Sequence, residues 1–256
     1  ETAEFRGELT SRGAAVRHVR LKGPRYRRGR GAKARPVDLV STWREEYLPG
    51  RVELIGDGPH LPAANDWTIV SRTNREVVFR LTLPEVELVK TVRLGVPYQL
   101  RVGTTVTNRT AASQSHKYAT KLFAYVRDSE QKGGTFRQSP WVTEGICLHG
   151  GSLRREDRDD LVEHDAVEAG RIGYAGIDNL YFMMAVAPVR AATDQECRLS
   201  AEERGPGVLY QSTVAYATRQ LEPGERAEYA DRLYFGPKEI ETLEAAGAHL
   251  DKAVDF

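Results

Sequence analysis

The sequence predicts an all-β fold: one large antiparallel β-sandwich over residues 1–256, finished by a single C-terminal α-helix. Three observations carry this. Short apolar runs recur along the 256 residues, separated by Gly- and Pro-rich turns. Two adjacent runs alternate, with Val86, Leu88, Val92 and Leu94 on one face and Tyr98, Leu100, Val102 and Val106 on another; this is the patterning of antiparallel sheet. Helical spacing is convincing only in the tail. A chain with 40% hydrophobic and 29% charged residues can fill one such domain, and no Pro/Ser-rich linker divides it.

In order, residues 2–10 and 14–22 read as a strand pair turned at Ser11, Arg12 and Gly13. The run from Arg17 to Arg35 holds nine Lys/Arg and no acid. Strands at 37–42 and 52–55 lead to a turn-rich crossing at 56–62. Strands at 67–71, 77–83, 85–94 and 98–107 follow in quick succession, then a polar loop over 108–115 and a strand at 117–126. A turn is expected at 132–135, and a strand over 141–149 carries Cys147. The charged stretch 153–164 reads as a surface loop or a short exposed strand. Strands at 171–177 and 180–189 and one bearing Cys197 come next. Residues 208–218 and 227–235 are expected to pair through Glu222, Pro223, Gly224 and Glu225, whose Pro-Gly centre suits a type II turn.

The tail is read as one helix over 237–250. Pro237 suits a first helical position. Glu239 and Glu241 in the first turns complement the helix dipole, as do His249 and Lys252 near the far end. Ile240, Leu243, Gly247 and Leu250 recur at steps of three and four and draw one apolar stripe, expected to grip the sheet.

Little in the chain points to catalysis. The six histidines show no metal-site spacing. Asp157, Asp159, Asp160, Glu163 and Asp165 lack the spacing of a calcium loop and read as solvated charge. No nucleophile elbow, phosphate loop or dinucleotide fingerprint is present, so no catalytic residue, metal or cofactor is assigned. Cys147 and Cys197 could form one disulfide in an oxidising compartment or stay as buried thiols. No run reaches the roughly 18 apolar residues of a membrane span. No signal peptide is visible, so the chain reads as a mature form or an excised fragment. The net charge of +1 implies no global electrostatic partner. Locally, the basic run offers only Tyr26 for base stacking. Nucleic acid is therefore not expected, and a surface loop, solvated or resting on anionic lipid headgroups, is preferred.

The tail carries a resemblance. Tyr234-Phe-Gly-Pro-Lys-Glu-Ile240, Leu243 and Ala248-His-Leu-Asp-Lys-Ala-Val-Asp-Phe256 resemble the end of the large periplasmic domain of the YidC/Oxa/Alb insertase family. Residues 4–16 are similar to that domain's opening strand pair, and residues 176–188 to its central strand. The basic run between Arg17 and Arg35 is where the chain departs from the family. The resemblance implies a super-β-sandwich similar to galactose mutarotase, placed on the periplasmic face of the inner membrane within a longer, multi-pass membrane protein. It implies a non-catalytic domain that contacts accessory subunits of the Sec translocon and nascent membrane proteins, with the terminal helix coupling the sandwich to the membrane part. The alternative is a mutarotase-like or carbohydrate-binding sandwich. That requires a histidine and a carboxylate converging in one cleft, and His116 and His149, near predicted strand ends, are the ones to inspect.

Overall fold

The computed structural model describes residues 1–29, 31–131 and 142–254. In chain order its strands are β1 (Phe5–Thr10), β2 (Ala15–Leu21), β3 (Arg27–Arg28), β4 (Arg35–Pro36), β5 (Arg51–Ile55), β6 (Thr68–Arg72), β7 (Glu76–Thr82), β8 (Val86–Leu94), β9 (Gln99–Asn108) and β10 (Gln114–Arg127). They continue with β11 (Glu144–His149), β12 (Ser152–Glu156), β13 (Ala166–Gly170), β14 (Ile172–Asp178), β15 (Phe182–Pro188), β16 (Gln195–Glu203), β17 (Gly207–Ala215), β18 (Arg219–Leu221) and β19 (Arg226–Pro237). The helices are α1 (Asp128–Gln131), α2 (Arg158–Glu163) and α3 (Ile240–Ala246).

Two antiparallel sheets face each other. One has nine strands in the order β12-β11-β14-β15-β19-β9-β8-β7-β6; the other runs β13-β16-β17-β10-β18, with β5 also paired to β10. β19 sits in the middle of the larger sheet, bonded to β15 on one side and β9 on the other. Apolar residues from both inner faces fill the space between, among them the fully buried Tyr118, Tyr174, Tyr210, Leu88 and Ile146. Period-two alternation produces this, because every second side chain of a strand meets the facing sheet. The predicted faces hold: Val86, Leu88 and Val92 are buried on β8, and Leu100, Val102 and Val106 on β9.

Cys147 on β11 and Cys197 on β16 are joined by a disulfide with Cα atoms 6.4 Å apart, inside the range such a bond requires. It fastens one sheet to the other.

Several expectations are corrected. Residues 37–42 are not a strand. The segment meets β2 only through an isolated bridge between Arg20 and Asp38, with backbone bonds at Val37 and Leu39. The Asp38 side chain accepts from the N–H groups of Val19 at 3.0 Å and Val40 at 3.2 Å, which turns the chain away. Of the two readings of 153–164, the short strand holds at its start and the loop does not. The stretch contains the end of β12 and α2, capped by the Asp157 carboxylate, which accepts from the N–H groups of Asp159 and Asp160. Residues 208–218 and 227–235 do not pair with each other. β17 lies in the smaller sheet and β19 in the larger. The Pro-Gly turn is real, with Gly224 at φ 76°, but it carries the chain from β18 across to β19. The expected turn at 132–135 and the start of the 141–149 strand lie outside the described residues.

Candidate functional site

The C-terminal segment is shorter and more broken than its periodicity predicts. Pro237 is the last residue of β19, paired with Phe182, and the helix starts only at Ile240. It ends at Gly247, where φ is +75° and the N–H donates to the carbonyls of Leu243 and Glu244 at 3.1 Å each. Ala248 and His249 then both adopt left-handed backbone, at φ 57°, before a 3-10 turn over Leu250–Ala253. Left-handed residues with a Cβ cost about 1 kcal/mol or more each, so surrounding contacts must hold this bend.

Those contacts are present. Leu243, Ala246, Leu250 and Ala253 are all buried. Gln99 of β9, itself buried, donates from Nε2 to the Ala246 carbonyl at 3.1 Å and takes up one orphan acceptor of the helix end. Of the predicted stripe, Leu243 and Leu250 therefore face the sandwich. Ile240 is 38% exposed because it opens the helix instead of sitting a turn inside it. Gly247 is a helix stop and not a packing position. The two alanines completed the buried face unnoticed, since alanine carries little periodic signal.

Both ends of this segment are tied by charge. The Asp178 carboxylate, at the end of β14, accepts from Lys238 Nζ at 2.6 Å and from Arg155 Nη1 of β12 at 3.1 Å. Arg155 also donates to Glu144 Oε2 at 3.0 Å and to the Ala253 carbonyl at 2.5 Å. Burial pushes the Asp178 carboxyl up, while Lys238 and Arg155 pull it back down. Lys238 precedes α3 and Ala253 closes the 3-10 turn, so one buried carboxylate with its arginine fixes the start and the end of the tail. Sequence reasoning passed over all three residues. Arg155 sits in a stretch read as solvated charge, and its distance from Asp178 and Lys238 along the chain leaves no local trace.

The basic run lies beside this seat. Tyr26 is buried, its hydroxyl donating to Glu239 Oε1 at 2.9 Å and its ring lying edge-on to Phe182 at 6.1 Å. Arg25 reaches the other Glu239 oxygen at 3.0 Å. Burial, then the Glu239 contact, raises the Tyr26 phenol far above neutral pH. Beyond it, β3 and β4 form a small ribbon that walls a cleft of about 390 Å³. Arg28, Lys33 and Arg35 line one side of the cleft, and Phe182, Met183 and Met184 line the other.

The two histidines singled out in the sequence do not converge. His116 is buried on β10, with Nε2 2.7 Å from the Tyr229 hydroxyl; burial, then Arg219, lowers its pKa to about 4. His149 lies half-exposed on β11, Nδ1 3.4 Å from Glu168. Neither lines any of the five cavities described. A second buried charge set lies between the sheets. Lys90 donates to the carbonyls of Ala14 (2.8 Å) and Gly50, and burial lowers its pKa to about 7. Asp231, raised by burial to about 6, accepts from Tyr216 at 2.5 Å and Thr120 at 2.7 Å. Each charge is met by its own hydrogen-bond partners and the two attract across the core, which suits holding a core in register. Among the described residues no His/Cys/Asp/Glu group is placed to hold a metal ion.

The architecture is that of the galactose mutarotase-like β-sandwiches. A galactose mutarotase-like protein from Lactobacillus casei superposes with a TM-score of 0.58 at 14% identity, over 92% of this chain and 98% of its own. A putative aldose 1-epimerase from Escherichia coli K12 gives 0.56 at 10% identity, over 91% and 96%. At such identity the likeness concerns the fold alone. Within that class, the family model of the YidC periplasmic domain matches residues 1–256, and the chain belongs to this family. A membrane protein insertase YidC from Anaeromyxobacter sp. (strain Fw109-5) is 28% identical over 261 residues, 98% of this chain and 46% of the relative. One from Geobacter sulfurreducens is 24% identical over 265 residues, 100% of this chain and 47% of the relative. The chain thus spans about half the length of the curated relatives it matches.

Proposed function

We propose that this chain is the non-catalytic periplasmic domain of an inner-membrane protein insertase, and that it assists insertion and folding of membrane proteins through protein–protein contacts. Membership of the family supports the class of protein. The observation that carries the mechanical part is the double attachment of the C-terminal segment, by Leu243 and Leu250 in the core and by Lys238, Asp178 and Arg155 at its ends. A tail fixed in this way to the central strand passes small displacements of the sandwich on to whatever follows it, up to the load at which the tail itself opens. Ile240 and Gly247 join Leu243 and Leu250 in the coupling segment, Gly247 as its hinge. Nascent membrane proteins and accessory subunits of the Sec translocon are the proposed partners. The cleft between the basic ribbon and Met183 and Met184 suits an extended apolar segment. Among the described residues no helix is long and apolar enough to cross a membrane, so membrane anchoring belongs to the longer protein.

The mutarotase reading gains no support from His116, whose ring nitrogen is taken by Tyr229, or from half-exposed His149. The test is Leu243→Glu in the full-length protein in cells depleted of their own insertase. At unchanged protein levels, insertion of dependent substrates is expected to fall. A photo-crosslinker at Ile240 or Met183 should capture nascent chains or Sec subunits. Normal insertion together with no crosslinks would overturn the proposal.

A further inference from the structure

We infer that the face formed by the basic run, the β14–β15 turn and the start of α3 docks onto the headgroups of an anionic phospholipid bilayer. Three segments meet there. The Lys238 N–H donates to the Tyr181 carbonyl at 2.8 Å, Arg25 and Tyr26 hold Glu239, and the β3–β4 ribbon faces Phe182 across the cleft. The turn presents Leu180 at 63% and Tyr181 at 52% exposure, and Ile240 adds a third exposed apolar side chain.

The charge at this face is basic after its acids are counted. Arg17 pairs with Glu45, Arg20 with Asp38, Lys22 with Glu1, Arg25 with Glu239 and Arg28 with Glu130. Among the described residues, Arg27, Lys33 and Arg35 have no acid within ion-pairing distance, and all three are exposed; the exposed Glu241 in the first turn of α3 offsets one of them and leaves the face net basic. Three cations beside an exposed Tyr and Leu form the combination that partitions to an anionic interface, where electrostatic attraction adds to shallow apolar burial. The basic run itself offers a single strand no ring for stacking, because Tyr26 is buried, with Phe182 at its edge and Arg25 over its face. Tyr181 is exposed on the neighbouring turn, so the test includes an RNA oligonucleotide. This inference does not depend on the protein partners proposed above. Loss of insertion with intact vesicle binding, or the reverse, separates the two.

The test is co-sedimentation of the domain with vesicles of phosphatidylcholine, with and without a phosphatidylglycerol fraction, at low and high salt. Binding is expected only with phosphatidylglycerol, and it should weaken with salt. The triple variant R27Q/K33Q/R35Q changes exposed side chains and should melt like the parent. Its partition coefficient should fall on the order of 100-fold, from about fivefold per basic residue near such a surface. Leu180→Ser should weaken binding several-fold without changing the salt slope. Equal binding to both vesicle types overturns the inference, as does a triple variant or a Leu180→Ser variant that binds like the parent. So does tight binding of a single-stranded RNA oligonucleotide without vesicle partition.

Discussion

Replacing Leu243 with Ala should open the C-terminal segment and leave the sandwich folded. Leu243 is fully buried, and the change removes three carbons, about 2.4 kcal/mol at about 0.8 kcal/mol per buried methylene. A rigid cavity would raise this toward about 5 kcal/mol. The seven-residue α3 can shift inward to close part of it, so the lower figure is expected. At about 1.36 kcal/mol per factor of ten, about 2.4 kcal/mol makes opening of the segment roughly 60-fold more frequent. Amide hydrogen exchange reads this directly. The N–H groups of Leu243, Gly247, Leu250 and Val254, all bonded within the segment, should exchange about 60-fold faster, while β10 and β17 amides keep their protection. Ile240→Ala, at a position 38% exposed, serves as a control and should cost about 1 kcal/mol or less. A uniform loss of protection across β10 and β17 would refute the idea of a separately opening tail. So would an unchanged tail.

Two further predictions concern the sandwich itself. Cys147 and Cys197 are separated by 50 positions, and closing such a loop removes about 4 kcal/mol of unfolded-state entropy. Reduction or Cys197→Ser should lower the urea midpoint accordingly, and an unchanged midpoint would show that the two sheets are not stapled. Lys90, with its pKa lowered from 10.5 to about 7, binds fewer protons folded than unfolded in that interval, so stability should rise between pH 7 and 10.5. Asp231, raised from 3.8 to about 6, acts in the opposite sense: its contribution is full below 3.8 and is lost as pH rises through 6. Lys90→Met should abolish the alkaline rise in urea melts, and a variant that keeps it would exclude Lys90 as the cause.

The two-sheet architecture was legible because period-two alternation is local, and residues 86–106 display it without help from the rest of the chain. Sheet membership was not. The Pro-Gly turn at 223–224 announces a reversal, but whether β19 returns to β17 or crosses to the other sheet depends on which faces bury more apolar surface. α2 announced itself through Asp157 and two acids in its first turn, yet the same charges read as solvent exposure. Gly247 fitted the helical stripe by spacing alone, and only its positive φ identifies a stop. At the site, alternation already placed position 90 inward beside Val86, Leu88 and Val92. What makes a lysine tolerable there are carbonyls 76 and 40 residues away. Asp178, Arg155 and Lys238 are of the same kind: a cluster assembled by topology leaves no spacing to find.

The position of β19 also sets how this domain bears load. A pull on residue 254 first meets the tail seat and the Lys238–Asp178 contact, and then runs along β19 itself. That strand is zipped to β15 over 231–237 and to β9 over 226–234. Tension parallel to its axis must shear both ladders at once, whereas an edge strand such as β6 or β12 can be peeled away one hydrogen bond at a time. Pulled from residue 254, the tail is therefore expected to open before the two ladders of β19 shear, as a fuse opens in front of a stronger anchor.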